Sequence, residues 1–246
     1  MPAPFWRQSW TGKTKGQEGD SSIVIEAILN FIFPPHCPLC GAYTEVRGGW
    51  CPSCLSAILQ PERLPLTAPM QVVLNDAWAL SVYRGGTRDL IRRLKYRGQQ
   101  SCLPYIRTML AAAQQKPAVT ALLASVDLAV PVPLHPKKEK QRGFNQSELI
   151  FRDWLQSRGI PMLRGLKRVR ETRPMYRLSA GERQQNLAGA FAAAAEDALA
   201  GKRILLVDDI LTTGATLYAC ARELKQSGAA SVAALVLASD HREASS

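Results

Sequence analysis

Apolar residues first recur at helical spacing at Ile23, Ala27, Ile28, Phe31 and Ile32, until Pro34 and Pro35 stop the run. Beyond them the pattern changes to short apolar runs alternating with amphipathic stretches. Residues 77–82 and 126–132 read as strands. Residues 202–207 and 230–238 read as strands buried on both faces, because a parallel sheet covered by helices leaves its strands no polar side. Helices are predicted at 87–97, 101–115, 145–157 and 214–227. Two starts carry a cap followed three residues later by Glu, Asn145 with Glu148 and Ser179 with Glu182, a spacing that satisfies orphan amides of a first turn. Strands alternating with helices imply an α/β fold, a doubly wound parallel sheet with helices on both faces. No internal repeat is apparent.

The same pass divides the chain. Residues 1–21, rich in Gly, Ser, Thr and charge, read as a disordered arm; 22–60 as a helix and a small cysteine-rich unit; 61–70 as a Pro-rich linker; 71–240 as the main α/β domain; and 241–246 as a tail.

Composition narrows the class. With 246 residues, 46% hydrophobic and 21% charged, the chain can bury a core, which excludes global disorder and collagen-like structure. A net charge of +11 favours anionic partners, and its placement matters more than its sum. Residues 84–107 carry seven Arg or Lys and one acid, 137–142 four and one, and 164–183 seven and two, so the remainder is slightly acidic. No secretory or membrane segment is visible: the best apolar run, 23–33, is short and broken by Glu26 and Asn30. The expected location is the cytoplasm, without membrane insertion.

Four cysteines fall in two Cys-x-x-Cys pairs, Cys37/Cys40 and Cys51/Cys54, ten residues apart. Two such knuckles can oppose four thiolates in the tetrahedral S₄ arrangement that Zn²⁺ takes, and a unit this small needs metal for folding energy. Structural zinc is the expectation, with reduced or disulfide-linked cysteines as the alternative. Four Cys ligands leave no open position for catalysis. His36 reads as a loop residue, and Cys102 and Cys220 as small buried hydrophobes.

The chemistry concentrates where the run 203–207 meets Asp208 and Asp209, followed by Thr212, Thr213, Gly214 and Thr216. Ligands of open α/β sheets bind at the carboxyl ends of strands, and a helix start offers amides and a positive dipole end to a phosphate. Gly214 permits close backbone approach, and the threonines add hydroxyl donors. The two acids suit sugar hydroxyls or a metal-bound diol beside that phosphate. The plainer alternative is a strand end and an N-cap with no ligand.

This segment, apolar-apolar-apolar-Asp-Asp-x-x-Thr-Thr-Gly-x-Thr, resembles the phosphoribosyl-pyrophosphate (PRPP) motif of type I phosphoribosyltransferases. The preceding ribbon, 94–98 (Leu-Lys-Tyr-Arg-Gly), 127–136, 142–149 (Arg-Gly-Phe-Asn-Gln-Ser-Glu-Leu) and 183–191 resemble the ComF/GntX family, so the likeness covers nearly the whole chain. It implies a type I phosphoribosyltransferase-like sheet with an N-terminal zinc ribbon. By that likeness Asp208 and Asp209 would be the catalytic acids holding ribose hydroxyls, and Leu211, Thr212, Thr213, Gly214, Ala215 and Thr216 would cradle the 5′-phosphate. Lys137, Lys138, Arg142 and Gly143 would form a pyrophosphate loop, with Mg²⁺ bridging diphosphate and ribose. Two departures, Met175 in place of the Gln of Thr-x-x-Gln and Gln99 in place of an acid, concern acceptor recognition.

On the helix predicted at 87–97, Arg88, Arg92 and Lys95 recur at i, i+4 and i+7, with Tyr83 and Tyr96 nearby. With 164–183 they could make a track for single-stranded DNA; the alternatives are a solvated face or electrostatic support for pyrophosphate. Two functions follow. One is transfer of phosphoribosyl from PRPP to an acceptor that the sequence does not name. The other is a non-catalytic accessory role in DNA uptake and natural transformation, sensing PRPP or nucleotides and binding single-stranded DNA or DNA-processing proteins.

Overall fold

The computed structural model describes residues 30–172, 182 and 186–240. The arm expected at 1–21, most of the first helix, the cap at Ser179 and the tail at 241–246 lie outside them. Residues up to Pro35 and from His36 onward form two units. Of the first, residues 30–35 are described, and 30–32 of them are the end of a helix. The second holds the elements below.

Its centre is a five-stranded sheet in the order β1-β2-β7-β6-β3. The strands are β1 (Glu62–Arg63), β2 (Asp76–Val82), β3 (Leu128–Pro131), β6 (Arg203–Leu211) and β7 (Ser231–Ser239), all parallel except β1, which pairs antiparallel on the edge of β2. A separate antiparallel pair, β4 (Leu166–Arg168) and β5 (Phe191–Ala193), stands apart from it. The helices are α1 (Pro52–Ile58), α2 (Ala68–Val73), α3 (Gly85–Arg97), α4 (Leu103–Ala113), α5 (Pro117–Ala124), α6 (Pro136–Arg142), α7 (Gln146–Gln156), α8 (Glu196–Leu199) and α9 (Ala215–Gln226).

The apolar runs of β6 and β7 have two buried faces because each alternate residue enters a different core. Leu205, Val207, Leu235 and Leu237 face a core closed by α3, α4, α5 and α7, through Leu90, Ile106, Leu123 and Phe151. Ile204, Leu206, Ala234 and Val236 face the other, closed by α2, α9 and the β4–β5 pair through Met70, Cys220 and Phe191. At the opposite end of the sheet from the candidate site, the Arg203 guanidinium and backbone N–H grip Asp127 at 2.6 and 2.8 Å, which holds that carboxyl down at about 2.

Three readings shift. The Pro-rich stretch 61–70 is no bare spacer, since it supplies β1 and opens α2. The segment expected as a pyrophosphate loop is helix α6. His135 caps it, Pro136 fits its first turn, Glu139 and Arg142 match the ends of its dipole, and Gly143 at φ 82° ends it. Strand β6 continues past Val207 to Leu211, because Asp208, Ile210 and Leu211 keep pairing with β7.

The cysteine unit is part of this core. Cys37, Trp50, Ile58 and Leu59 are buried with the residues of α3 and α4. The Trp50 indole N–H donates to the Tyr105 carbonyl at 2.9 Å, and the Thr108 hydroxyl donates to the Gly48 carbonyl at 2.9 Å. Gly48 has φ +78°, and a Cβ there would lie 2.3 Å from Pro104 Cβ. Gly48→Ala should therefore lift the ribbon from α4. Amides of residues 36–60 are expected to exchange about tenfold faster while those of β6 and β7 stay protected; unchanged exchange in the ribbon would refute the seat.

Candidate functional site

The site lies at the carboxyl ends of β3 and β6. Asp209 is 3% exposed. Its Oδ1 meets the Lys95 ammonium of α3 at 2.9 Å, and its Oδ2 is buried with no hydrogen-bond partner among the described residues. Asp208 accepts from the Ser147 hydroxyl of α7 at 2.8 Å and from the Asp209 N–H at 2.9 Å. Burial, then the neighbouring Asp209 charge, push the Asp208 carboxyl up to about 7, against the opposing pull of Lys95 and the Ser147 bond. Local structure fixes Ser147: the Asn145 side chain accepts from the Ser147 and Glu148 amides while its Nδ2 donates to the Val132 carbonyl at 2.9 Å. The cap predicted at Asn145 thus ties the start of α7 to the end of β3.

After Leu211 the chain turns through Thr212 and Thr213, both exposed, into α9. Gly214 sits at the N-cap with φ 73°, and no side chain caps the helix. First-turn amides of α9 therefore lack the usual side-chain acceptor, the state in which a helix start receives an anion. A Cβ at Gly214 would also come within 2.9 Å of the Met70 side chain.

Cations gather around Arg168, which lies within electrostatic reach of Asp208. Lys138 is held below the ordinary lysine range, first by burial and then by Arg168 and Arg142. Arg142 donates to the Gln146 side chain at 2.9 Å. Lys137 pairs with Glu171 at the surface at 3.1 Å, and Gly143 serves as the C-cap of α6. Arg168 escaped the sequence reading. It is drawn in from β4, its guanidinium 5.4 Å over the Phe191 ring, bonded to Thr172 and within electrostatic reach of Asp208, with Nε unpartnered among the described residues. Its only sequence signal was membership of a basic stretch.

The basic stripe divides. Arg88 and Arg92 are exposed, with Arg88 facing Asp89 at 3.8 Å. Lys95 belongs instead to the acid pair, a correction to its expected place on a DNA track: helical spacing put it on the face of Arg88, but the last turn of α3 overlies the end of β6. Tyr83 is packed against the core rather than displayed. In 164–172, Arg164 is engaged by Glu148 and Glu139, at 2.6 and 2.9 Å, and Arg170 by the carbonyls of Asn186 and Ala188, so these two arginines serve the fold.

In the ribbon, the Sγ atoms of Cys37, Cys40, Cys51 and Cys54 all lie within 4.8 Å of one another, and Cys40 and Cys51 approach to 3.6 Å. Four sulfurs at 2.3 Å from a tetrahedral ion would stand about 3.8 Å apart, so the set fits Zn²⁺. Cys102 and Cys220 are buried away from it, and His36 bonds the Gly41 carbonyl within its own loop at 2.9 Å.

Comparisons with known proteins show the family. Residues 168–245 match the model of the phosphoribosyl transferase domain, and 28–64 that of the double zinc ribbon domain. The chain is 30% identical over 196 residues to Competence protein F of Haemophilus influenzae, covering 79% of this chain and 80% of that one. The chain belongs to the ComF/GntX family. It is also 29% identical to the DNA utilization protein YhgH of Escherichia coli K12, covering 80% and 86% of the two chains, and 26% identical to Competence protein ComFC of Bacillus subtilis, covering 82% and 76%. The fold of this ComF/GntX member is a phosphoribosyltransferase-type parallel sheet carrying a zinc ribbon whose four cysteines form a structural metal site. Among the described residues no helix is long and apolar enough to cross a membrane.

The acid pair sets a pH dependence. Because Asp208 holds its proton to about 7 in the fold against 3.8 ordinarily, the native state binds the extra proton between those values, and its stability falls as pH rises through that window. Asp208→Asn removes the effect. Urea midpoints at about pH 5 and about pH 8 should show the variant gaining on the native protein at the higher pH; parallel pH profiles would contradict the assignment.

Proposed function

We propose that this chain binds PRPP or a related phosphoribosyl ligand at the ends of β3 and β6, in a protein of DNA uptake or DNA use. The observation that carries the reading is the acid pair followed at once by the uncapped start of α9 with Gly214 in a left-handed turn. In this reading Asp208 and Asp209 accept hydrogen bonds from ribose hydroxyls, and the backbone and hydroxyls of 212–216 hold the 5′-phosphate. Lys138 and Arg142, joined by Arg168, answer the charge of the diphosphate in this reading; both arginines lie close enough to Lys138 to hold its ammonium below the ordinary lysine range. The pair offers the hard oxygen donors that Mg²⁺ takes, and the unpartnered Asp209 Oδ2 fits that role; Mg²⁺ would supply charge neutralisation between ribose and diphosphate. Transfer would form a bond from an acceptor to the anomeric carbon as the bond to pyrophosphate breaks, with the cationic side of the site taking up the leaving charge.

Calorimetry with PRPP and Mg²⁺ tests this. Replacing both Asp208 and Asp209 with Asn should weaken binding by at least about a hundredfold, since each lost charged acceptor contributes about 1.5–3 kcal/mol and the two together at least about 3 kcal/mol. No binding by the native protein, or equal affinity in the variant, would overturn the reading.

The names of the relatives, two competence proteins and a DNA utilization protein, support the DNA context. Any contact of this chain with single-stranded DNA falls, in this reading, to exposed Arg88 and Arg92 rather than to Lys95. Fluorescence anisotropy over a salt series should then give a log–log slope that falls by about 1.4 when both are changed to Ala, at about 0.7 per phosphate contact. A slope unchanged by the double substitution would remove these arginines from the interface.

A further inference from the structure

The proposed ligand chemistry leaves the ribbon without a role, yet the ribbon and the acid pair share one helix. Leu39 and Trp50 of the ribbon lie against the first turn of α3: a Cβ at Gly85 would meet Leu39 at 3.1 Å, and one at Gly86 would meet the Trp50 ring at 3.0 and 3.1 Å. Trp50 is 6% exposed, held edge-on to the Tyr105 ring of α4 with centroids 6.4 Å apart and by its bond to the Tyr105 carbonyl. The middle of α3 is fixed on the sheet by Leu90, Ile91 and Leu94, all nearly inaccessible. Its last turn carries Lys95 to Asp209.

We propose that the ribbon is a positioning element for the acid pair: by seating the first turn of α3 through Trp50 and Gly86, it sets the axial placement of the helix at which Lys95 reaches Asp209. A rigid, close-packed helix passes a displacement at one end to the other, because its apolar face has no spare volume in which to absorb it. Lys95 is a positioning residue. It holds the buried Asp209 carboxylate in place through Oδ1 and leaves Oδ2 without a protein partner among the described residues. The effect on ligand affinity rests on the reading of this site as a phosphoribosyl site; the placement of Lys95 does not.

Gly86→Ala tests the seat while leaving every cysteine ligand in place. Ala is the better helix former, so an effect on α3 alone would strengthen it, whereas crowding the Trp50 ring should loosen the seat. Trp50→Phe is the second variant: it removes the outer ring edge and the bond to Tyr105 and retains an apolar ring. In the full chain, the ¹⁵N signal of the Lys95 ammonium, protected by its ion pair, should weaken or vanish in both variants with zinc content unchanged. PRPP affinity measured by calorimetry should fall about tenfold in Gly86→Ala and in Lys95→Met, and the double variant should be no weaker than Lys95→Met alone, the mark of two changes acting through one contact. Lys95→Arg should recover part of the loss. A native Lys95 signal in both ribbon variants, or losses that multiply in the double variant, would overturn the proposal. Loss of the Lys95 signal in a protein whose native form binds no PRPP would sustain the positioning and sink the phosphoribosyl reading instead.

Discussion

Two carboxylates on consecutive residues at the end of a buried strand demand compensation, and most of the molecule around them can be understood as its supply. Withdrawing a carboxylate from water costs several kcal/mol even after relaxation, and one left unpaired would cost more. Lys95, from α3, answers the Asp209 carboxylate; the Ser147 hydroxyl, from α7, bonds the Asp208 carboxyl, which keeps its proton to about 7. Removing Lys95 would strand a buried charge at a cost of about 3–5 kcal/mol. An exposed pair such as Arg63–Asp76 contributes about 0–1 kcal/mol, and Lys137–Glu171 lies wholly at the surface. The magnitudes separate a pair that shapes the site from pairs that decorate the surface.

That demand explains why elements distant in sequence converge. The cap at Asn145 places Ser147 while tying α7 to Val132. The ribbon seats α3, and α3 delivers Lys95. On the opposite side, β4 brings Arg168 within reach of Asp208 at the cost of an unpartnered Nε, an arrangement that suits a site awaiting anionic charge. The uncapped start of α9 has the same character: both leave donors without acceptors where a ligand would supply them.

Much of this was legible in residue order because the signals are local. Continuous apolar runs place four strands of the sheet to within a few residues, except that β6 runs on to Leu211. The Asn145 cap, the CxxC pairs and the Asp-Asp-x-x-Thr-Thr-Gly segment each carry their chemistry within a short window. What escaped depends on distance in three dimensions. Helical periodicity gives the face of Lys95 but not what overlies the last turn of α3. Charge counting marks 164–172 as basic but cannot show that Arg164 and Arg170 are engaged within the fold and Arg168 drawn inward. Pro136 and Gly143 bracket a helix that reads as a loop in the sequence, because a run of lysines masks its caps.

The central claim is that the start of α9 and the acid pair form one phosphoribosyl site. Amide NMR during titration with ribose 5-phosphate addresses it most directly, because the ligand carries both the phosphate and the diol and needs no acceptor. The account predicts downfield shifts at the amides of Thr213, Gly214, Ala215 and Thr216, with smaller changes at Asp208 and Asp209, saturating together. Shifts confined to the Arg88 and Arg92 face, or saturation at 213–216 with inorganic phosphate at the same affinity, would contradict it.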